Sequence, residues 1–146
     1  MKVVSVCISE EKGTKKHPVE KIELKKDHGI LGDAHAGNWH RQVSFLGEES
    51  VDRMRKFLPD LDAGAFAENI MTEGIELYTL PIGTKLKVGE VIFEVTQIGK
   101  ECHHGCEIRT IVGDCVMPRE GIFGIVLEEG TVYPGDEIEI ISPVEA

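Results

Sequence analysis

Short apolar segments separated by glycines recur along the chain, and they constrain its fold more than any other feature. The segment KVVSVCIS is rich in β-branched residues, and VEKIELKK alternates Ile22 and Leu24 with charged residues, which is typical of a strand with one solvent-facing side. Two later segments, GTKLKVGEVI and GTVYPGDEI, each predict a strand, a tight turn and a second strand. We therefore predict a mostly β fold, a closed or half-closed β-barrel with one or two short helices.

Helical spacing is clear in one place. The segment GEESVDRMRKFLPD puts Val51, Met54, Phe57 and Leu58 on one helix face, and Pro59 ends the pattern. The segment CEIRTIVG predicts a second, shorter helix that a glycine terminates. The helices and strands do not alternate as βαβ units, so the pattern indicates a mostly β domain rather than an α/β fold.

Length and charge narrow the classes of function. The 146 residues suit a single domain over residues 1–146, and the net charge of −10 opposes binding to nucleic acid or to an anionic membrane surface. No apolar run approaches the roughly 20 residues that span a bilayer, and the N-terminus lacks a signal-peptide core, so we expect a cytoplasmic protein. The four cysteines are then expected to be thiols, with Cys7 buried and inert in its strand.

The segment KECHHGCEIRTIVGDC contains three of the four cysteines and two of the six histidines. One interpretation is a zinc site built from Cys102, Cys106 and a histidine, although the spacing lacks a repeated C-x2-C pair. The other is a reactive thiolate, because a helix beginning near Cys106 and the neighbouring cations would both favour the ionised form. Spacing alone leaves both open.

A glycine-rich loop, His28–Phe45, presents the polar residues Asp33, His35, His40 and Arg41. In one interpretation these side chains hydrogen-bond the backbone of their own loop. In the other the loop binds an anion or a cofactor, and Arg41 offers its planar guanidinium to a phosphate or carboxylate.

Glu68 and Asn69 are polar residues placed between Phe66 and Ile70, in a stretch that should fold inward. Buried polar groups need hydrogen-bond partners. A structural role is therefore favoured over a catalytic one on the residues alone.

The order of these motifs resembles a MOSC domain, the domain at the C-terminus of molybdenum cofactor sulfurases. The resemblance rests on GDAHAG followed by Arg41 and VSF, on AENIMTEGI, on LPIGTKLKVGEVIFEVTQIGKEC and on MPREGIFGIVLEEGTVYPGDEIEI, from about Ser5 to Ile141. The chain is most similar to the small stand-alone bacterial type. The family implies a MOSC-type β-barrel and one key cysteine after the strand ending in VTQIG, which is Cys102 here.

In the family this thiol carries sulfur as a persulfide or ligates the molybdenum of the pterin cofactor. The resemblance therefore implies that Cys102 is catalytic or a molybdenum ligand, with His103 or His104 tuning the thiol. The implied cofactor-binding residues are Asp33, His35, Arg41, Glu68, Asn69 and Arg119. Two departures matter: Ala67 replaces a frequent glycine, and the additional Cys106 and Cys115 leave open which thiol reacts.

Three functions follow as hypotheses. The chain binds molybdopterin cofactor or carries sulfur for it; it delivers the cofactor without turnover; or it is a zinc-stabilised β domain. The family implies a molybdoenzyme or a cysteine desulfurase as partner, and sulfur transfer or reduction of an N-hydroxylated substrate as activity. The chain lacks the pyridoxal phosphate domain of the large sulfurases, so no pyridoxal phosphate site is expected within it. The sequence does not give the oligomeric state.

Overall fold

A computed structural model describes residues 1–10, 16–34, 36–39, 41–56, 68–99 and 121–142. Eleven strands, one α-helix and one 3-10 turn occur in these ranges. The strands are β1 (Lys2–Ile8), β2 (His17–Val19), β3 (Ile22–Lys25), β4 (Gly29–Ile30), β5 (Val43–Gly47), β6 (Ile70–Glu73), β7 (Lys85–Val88), β8 (Val91–Ile98), β9 (Ile122–Glu128), β10 (Gly130–Val132) and β11 (Ile138–Ser142). The helix α1 is Glu48–Met54, and the 3-10 turn is Leu77–Thr79. The prediction of a mostly β protein is confirmed.

The strands form two sheets. The larger has the order β11-β7-β8-β9-β5-β6-β1-β2, and the smaller has the order β10-β3-β4. Strands β5 and β6 pair in parallel, whereas the other described pairs are antiparallel. The ladders of the described residues leave the larger sheet open between β11 and β2, so closure into a barrel is not confirmed.

The main core comes from the alternation seen in the sequence. Val91, Phe93 and Val95 of β8 are almost fully buried, and Phe93 meets Phe45 of β5 edge to face with ring centroids 5.1 Å apart. In β3 the burial alternates along Ile22–Lys25 as predicted. In β3 and β8 the period-2 pattern therefore indicates which side of the strand faces the core.

Strand β5 is buried on both faces. Val43 and Phe45 belong to the main core, whereas Ser44 and Leu46 point to the opposite face of the sheet, on which α1 packs against β5 and β6. A strand covered on both sides has no solvent-facing positions, which explains its continuous buried run.

Within the described residues, the helix α1 covers only the first part of the segment GEESVDRMRKFLPD. It begins with Glu48 and Glu49 in its first turn, has Arg53 in its last turn, and ends at Met54 with Arg55 as its C-cap. The rest of the predicted helix from Phe57 onward, and the second predicted helix, lie outside the described residues. No helix in the described part of the chain is long and apolar enough to cross a membrane.

The strand, turn and second strand predicted for GTVYPGDEI all form, but the two strands belong to different sheets. Strands β7 and β8 do form a hairpin around Gly89, but β10 pairs with β3 in the small sheet and β11 pairs with β7 in the large one. The Pro134–Gly135 turn closes with a hydrogen bond from Asp136 N–H to Tyr133 C=O, and the Tyr133 N–H bonds the Asp136 carboxylate. This turn therefore carries the chain from one sheet to the other.

Candidate cofactor-binding site

The guanidinium of Arg41 lies against two aromatic rings. Its Cζ is 4.7 Å from the centroid of the Trp39 ring and 5.6 Å from the centroid of the Phe123 ring. Both distances are within the range of a cation–π contact, which favours arginine because its planar group stacks. Phe123 belongs to β9 and pairs with Ser44 of β5, so the sheet itself places one of the rings beside the start of β5.

One donor of this guanidinium is buried without an acceptor. Nε of Arg41 has no hydrogen-bond partner among the described residues. A buried donor left unpaired costs about 1–3 kcal/mol, so a ligand that accepts from Nε would remove this cost. The arrangement is therefore chemically suited to an oxyanion that approaches Arg41 along the edge carrying Nε.

The loop before Arg41 is shaped by glycines. Gly29 has φ of +111°, and a Cβ there would lie 3.0 Å from the Gln42 carbonyl oxygen. Gly37 N–H donates to the His28 carbonyl at 2.6 Å, which closes the loop above its base. The beginning and the end of the loop thus pack directly on each other, and Arg41 emerges at this contact.

Substituting alanine at two glycines of the loop separates backbone strain from crowding. Gly29 and Gly32 both have positive φ, +111° and +85°, but a Cβ at Gly32 would meet no atom within 4 Å. We expect Gly32→Ala to cost about 1–2 kcal/mol of unfolding free energy through strain alone, and Gly29→Ala to cost about 1–3 kcal/mol more through overlap with Gln42. Urea unfolding of both variants measures the difference; equal losses would contradict the close approach.

Asp33 forms a buried ion pair. Its Oδ1 is 2.8 Å from Nζ of Lys16, both side chains are 0% exposed, and the same oxygen accepts the Ser9 N–H at 3.1 Å. Lys16 lies among charged residues in the sequence, and lysines are mostly exposed, so its local pattern does not indicate burial. The signal that could have found it is the Asp33 carboxylate itself, since a buried carboxylate needs a cation or several donors.

Asn69 joins three strands. Its Oδ1 accepts the backbone N–H of Ser44 at 2.9 Å and the Ser44 hydroxyl at 3.1 Å, and its Nδ2 donates to the Cys7 carbonyl at 3.1 Å. The residue is fully buried. Asn69 therefore has the backbone and side-chain partners that a buried polar group needs.

Glu68 is also fully buried, and it lies close enough to Cys7 to affect its ionisation. Burial, with the Glu68 carboxylate adding to it, raises the pKa of the Cys7 thiol from 9.0 to about 12. The Ser5 hydroxyl and the Lys16 ammonium act in the opposite direction and are outweighed. Cys7 is thus a buried thiol that stays protonated near neutral pH, as the sequence predicted.

Native alkylation tests this description of Cys7. With a pKa of about 12, roughly one thiol in ten thousand is ionised at pH 8, and the thiolate is the reacting form. We expect iodoacetamide at pH 8 to leave the Cys7 peptide unmodified in folded protein and to label it after denaturation in urea, as measured by mass spectrometry. Labelling of native protein at the rate seen in urea would contradict the burial of this thiol.

The other predicted site residues lie outside the described residues. They are His35, His40, Cys102, His103, His104, Cys106, Cys115 and Arg119. Within the described ranges, no group of three metal-ligating side chains is close enough to hold a metal ion. The structure therefore brings Arg41 together with Trp39 and Phe123, whereas Asp33 and Asn69 bond other buried groups.

A separate cleft of about 510 Å³ lies between the start of α1 and residues 74–80, with Met1, Glu49, Arg53 and Tyr78 among its lining residues. None of the described site residues predicted from the sequence lines this cleft. Arg41, Trp39 and Phe123 are also absent from its lining, so this cleft is separate from the group around Arg41.

The chain is thus a β-rich protein with a candidate oxyanion site. The site consists of Arg41, Trp39 and Phe123, and the glycine-rich loop carries the first two. The MOSC domain family model matches residues 32–139, which include the loop from Gly32 onward and the strands β5 to β10. The chain therefore belongs to the MOSC domain family. MOSC domains are associated with the molybdenum cofactor.

Solved structures share the fold at low sequence identity. YuaD from Bacillus subtilis superposes with a TM-score of 0.77 at 20% identity, over 94% of this chain and 93% of YuaD. YiiM from Geobacillus stearothermophilus gives 0.70 at 18% identity, over 97% of this chain and 75% of YiiM. YiiM from Escherichia coli gives 0.68 at 20% identity, over 100% of this chain and 72% of YiiM. No curated protein matches the chain.

Proposed function

We propose that this MOSC protein binds the molybdenum-pterin cofactor, or carries sulfur for it, with Cys102 as the reactive thiol. The observation that supports it most is the Arg41 guanidinium, which lies against Trp39 and Phe123 with a buried Nε that has no acceptor among the described residues. A pterin cofactor bears a terminal phosphate, and the two N–H groups on one edge of a guanidinium match two phosphate oxygens.

The residues fit this group. Arg41 would hold the terminal phosphate, together with Arg119, because a planar guanidinium matches phosphate oxygens and two aromatic rings lie against that of Arg41. Asp33 and Asn69 already have buried partners, so they would shape the pocket rather than bond the cofactor. When bound, the cofactor would supply a redox-active molybdenum centre that accepts a soft thiolate ligand.

The connection between β8 and β9 supports a place for Cys102 in the same site. The segment 100–120 contains Cys102, His103, His104 and Arg119, and its two ends meet where Gly99 N–H donates to the Gly121 carbonyl at 2.6 Å. Gly121 precedes Phe123, the second ring against Arg41, by two residues. Cys102 follows Gly99 by three residues, so bond geometry holds their Cα atoms within about 11 Å of each other. In this proposal His103 or His104 favours the thiolate.

A half-closed barrel is the form of the larger sheet that we propose. Its support is a short contact between β1 and the start of β11: an antiparallel bridge joins Lys2 to Glu137, and the Ile138 N–H donates to the Met1 carbonyl at 3.0 Å. The Val3 N–H also donates to the Asp136 carbonyl at 2.9 Å. These bonds would curve the larger sheet so that β11, at one edge, lies beside the start of β1, near the other edge.

Two cysteine variants test the proposed function. Protein purified from a host that makes molybdenum cofactor should contain molybdenum and pterin, and Cys102→Ser should lose them while the buried-thiol control Cys7→Ser keeps them. If Cys102 carries sulfur instead, wild-type protein should contain cyanide-labile sulfur that Cys102→Ser lacks. Equal cofactor and sulfur content in Cys102→Ser and wild type would contradict a role for this thiol.

Turnover is a further part of the proposal. Reduction of an N-hydroxylated substrate by loaded protein, with an electron donor present, would make the chain an enzyme. Stoichiometric release of cofactor to an acceptor molybdoenzyme, with no such reduction, would make it a delivery module. A cysteine desulfurase is the partner that the sulfur-carrier version requires, because the chain must receive sulfur from another protein.

A further inference from the structure

The ion pair between Lys16 and Asp33 connects three separate parts of the chain. Lys16 precedes β2, Asp33 lies in the glycine-rich loop, and Ser9 follows β1. Nζ of Lys16 is 2.8 Å from Asp33 Oδ1 and 3.1 Å from the Ser9 hydroxyl, while the Ser9 N–H donates to the same Asp33 oxygen. The Ala34 N–H also donates to the Ser9 carbonyl at 2.8 Å. The middle of the loop is therefore fastened to the end of β1.

Neither partner of this pair can touch a ligand, because both side chains are 0% exposed. A buried ion pair is also a poor way to gain stability, since an apolar pair of similar volume often serves as well. The pair instead fixes a position, because its charge-assisted hydrogen bonds hold Asp33 in one place relative to β1. The main effect of the ion pair is therefore on the position of the loop rather than on the stability of the fold.

The same loop carries Trp39 and ends at Arg41. Its base is held by the close approach of Gly29 to Gln42, and the Gln42 side chain accepts the Val126 N–H at 3.0 Å. Between base and middle, Gly37 N–H bonds the His28 carbonyl, and Trp39 N–H bonds the Gly37 carbonyl at 3.0 Å. Fixing both the base and the middle leaves the segment that bears Trp39 little freedom.

From this arrangement we infer that Lys16 and Asp33 are positioning residues: their buried ion pair holds the loop so that Trp39 stays against the Arg41 guanidinium. Without the pair, the loop loses its attachment to β1, Trp39 moves away from the guanidinium, and Arg41 no longer presents a fixed edge to an oxyanion. The inference rests on the proposed oxyanion site at Arg41, and it assigns Asp33 an indirect part in cofactor binding.

A double variant removes the pair without leaving a buried charge. Lys16→Met alone strands the Asp33 carboxylate and is expected to unfold at a lower temperature, so the informative protein is Lys16→Met/Asp33→Asn. Its new amide keeps an oxygen for the Ser9 N–H. The matched control is Lys2→Met/Glu73→Gln, which removes a partly exposed ion pair of 3.3 Å elsewhere in the sheet.

Trp39 is the only tryptophan, so its fluorescence reports on this site alone. We expect the dissociation constant for inorganic phosphate, measured by Trp39 fluorescence, to rise about tenfold or more in the Lys16/Asp33 double variant. We expect acrylamide quenching of Trp39 to rise as well, with neither changed in the control. Circular dichroism at the assay temperature establishes that both proteins are folded.

The outcomes separate this inference from the proposed function. If wild type and the double variant bind phosphate equally and show equal quenching, the positioning role is wrong while the Arg41 site stands. If wild type binds no phosphate, the proposed oxyanion site is wrong, and the quenching of Trp39 still decides whether the pair holds the loop: unchanged quenching would overturn the inference.

Discussion

Arg41→Met is expected to weaken binding of inorganic phosphate, and of a pterin phosphate, about a hundredfold or more. The reason is the loss of two charge-assisted hydrogen bonds, each worth about 1.5–3 kcal/mol, where about 1.4 kcal/mol corresponds to tenfold in affinity. Trp39 is the reporter, because its ring is 4.7 Å from the Arg41 Cζ. Methionine keeps an unbranched apolar stem beside the two rings, so the fold should be preserved.

A conservative variant refines this result. Arg41→Lys retains the charge but loses the planar guanidinium that lies against Trp39 and Phe123, so it should recover only part of the affinity. Arg55→Met is the matched control, since its guanidinium pairs with Asp52 on α1. Wild-type phosphate affinity in Arg41→Met, with affinity lost in Arg55→Met, would show that the site lies elsewhere.

Asn69→Ala is expected to lower the unfolding free energy by about 3–5 kcal/mol, a large fraction of the stability of a domain of this size. The substitution leaves the Ser44 N–H and the Cys7 carbonyl without the side-chain partners they have in the sheet. It also leaves a cavity in a fully buried position.

The matched control for this prediction is Asn38→Ala, the same chemical change at an exposed position of the loop. A surface substitution of this kind usually changes stability by less than about 0.5 kcal/mol. Urea unfolding of the two variants, followed by circular dichroism, measures both effects. A loss below about 1 kcal/mol in Asn69→Ala would mean that the three-strand contact does not stabilise the fold as described.

The strands could be predicted from the sequence because their burial has a period of two. Val91, Phe93 and Val95 alternate with half-buried neighbours in β8, and that local pattern suffices to identify a strand and its inner face. The pairing of strands could not be predicted in the same way. Both hairpin-like segments have the same local signal, yet β11 leaves its neighbour in sequence to pair with β7. Partner choice depends on contacts distant in sequence, which a local pattern does not contain.

In the candidate site, too, residues with a local sequence signal could be predicted, and residues placed by distant contacts could not. Arg41 could be chosen as a candidate anion-binding residue from its residue type and its loop, whereas Phe123 could not, because β9 brings it beside Arg41 from a distant part of the chain. Lys16 was missed for a similar reason: lysines in charged segments are usually solvated, and its burial becomes evident only once Asp33 is placed beside it. The roles of His35, Cys102, His103, His104 and Arg119 stay predictions.

The central claim is that this MOSC protein holds or serves the molybdenum cofactor. The most direct test is the molybdenum, pterin and cyanide-labile sulfur content per chain of wild-type protein purified from a host that makes the cofactor. We predict either molybdenum and pterin in a ratio approaching one per chain, or cyanide-labile sulfur in a similar ratio. Folded protein from such a host that contains none of the three would contradict the claim.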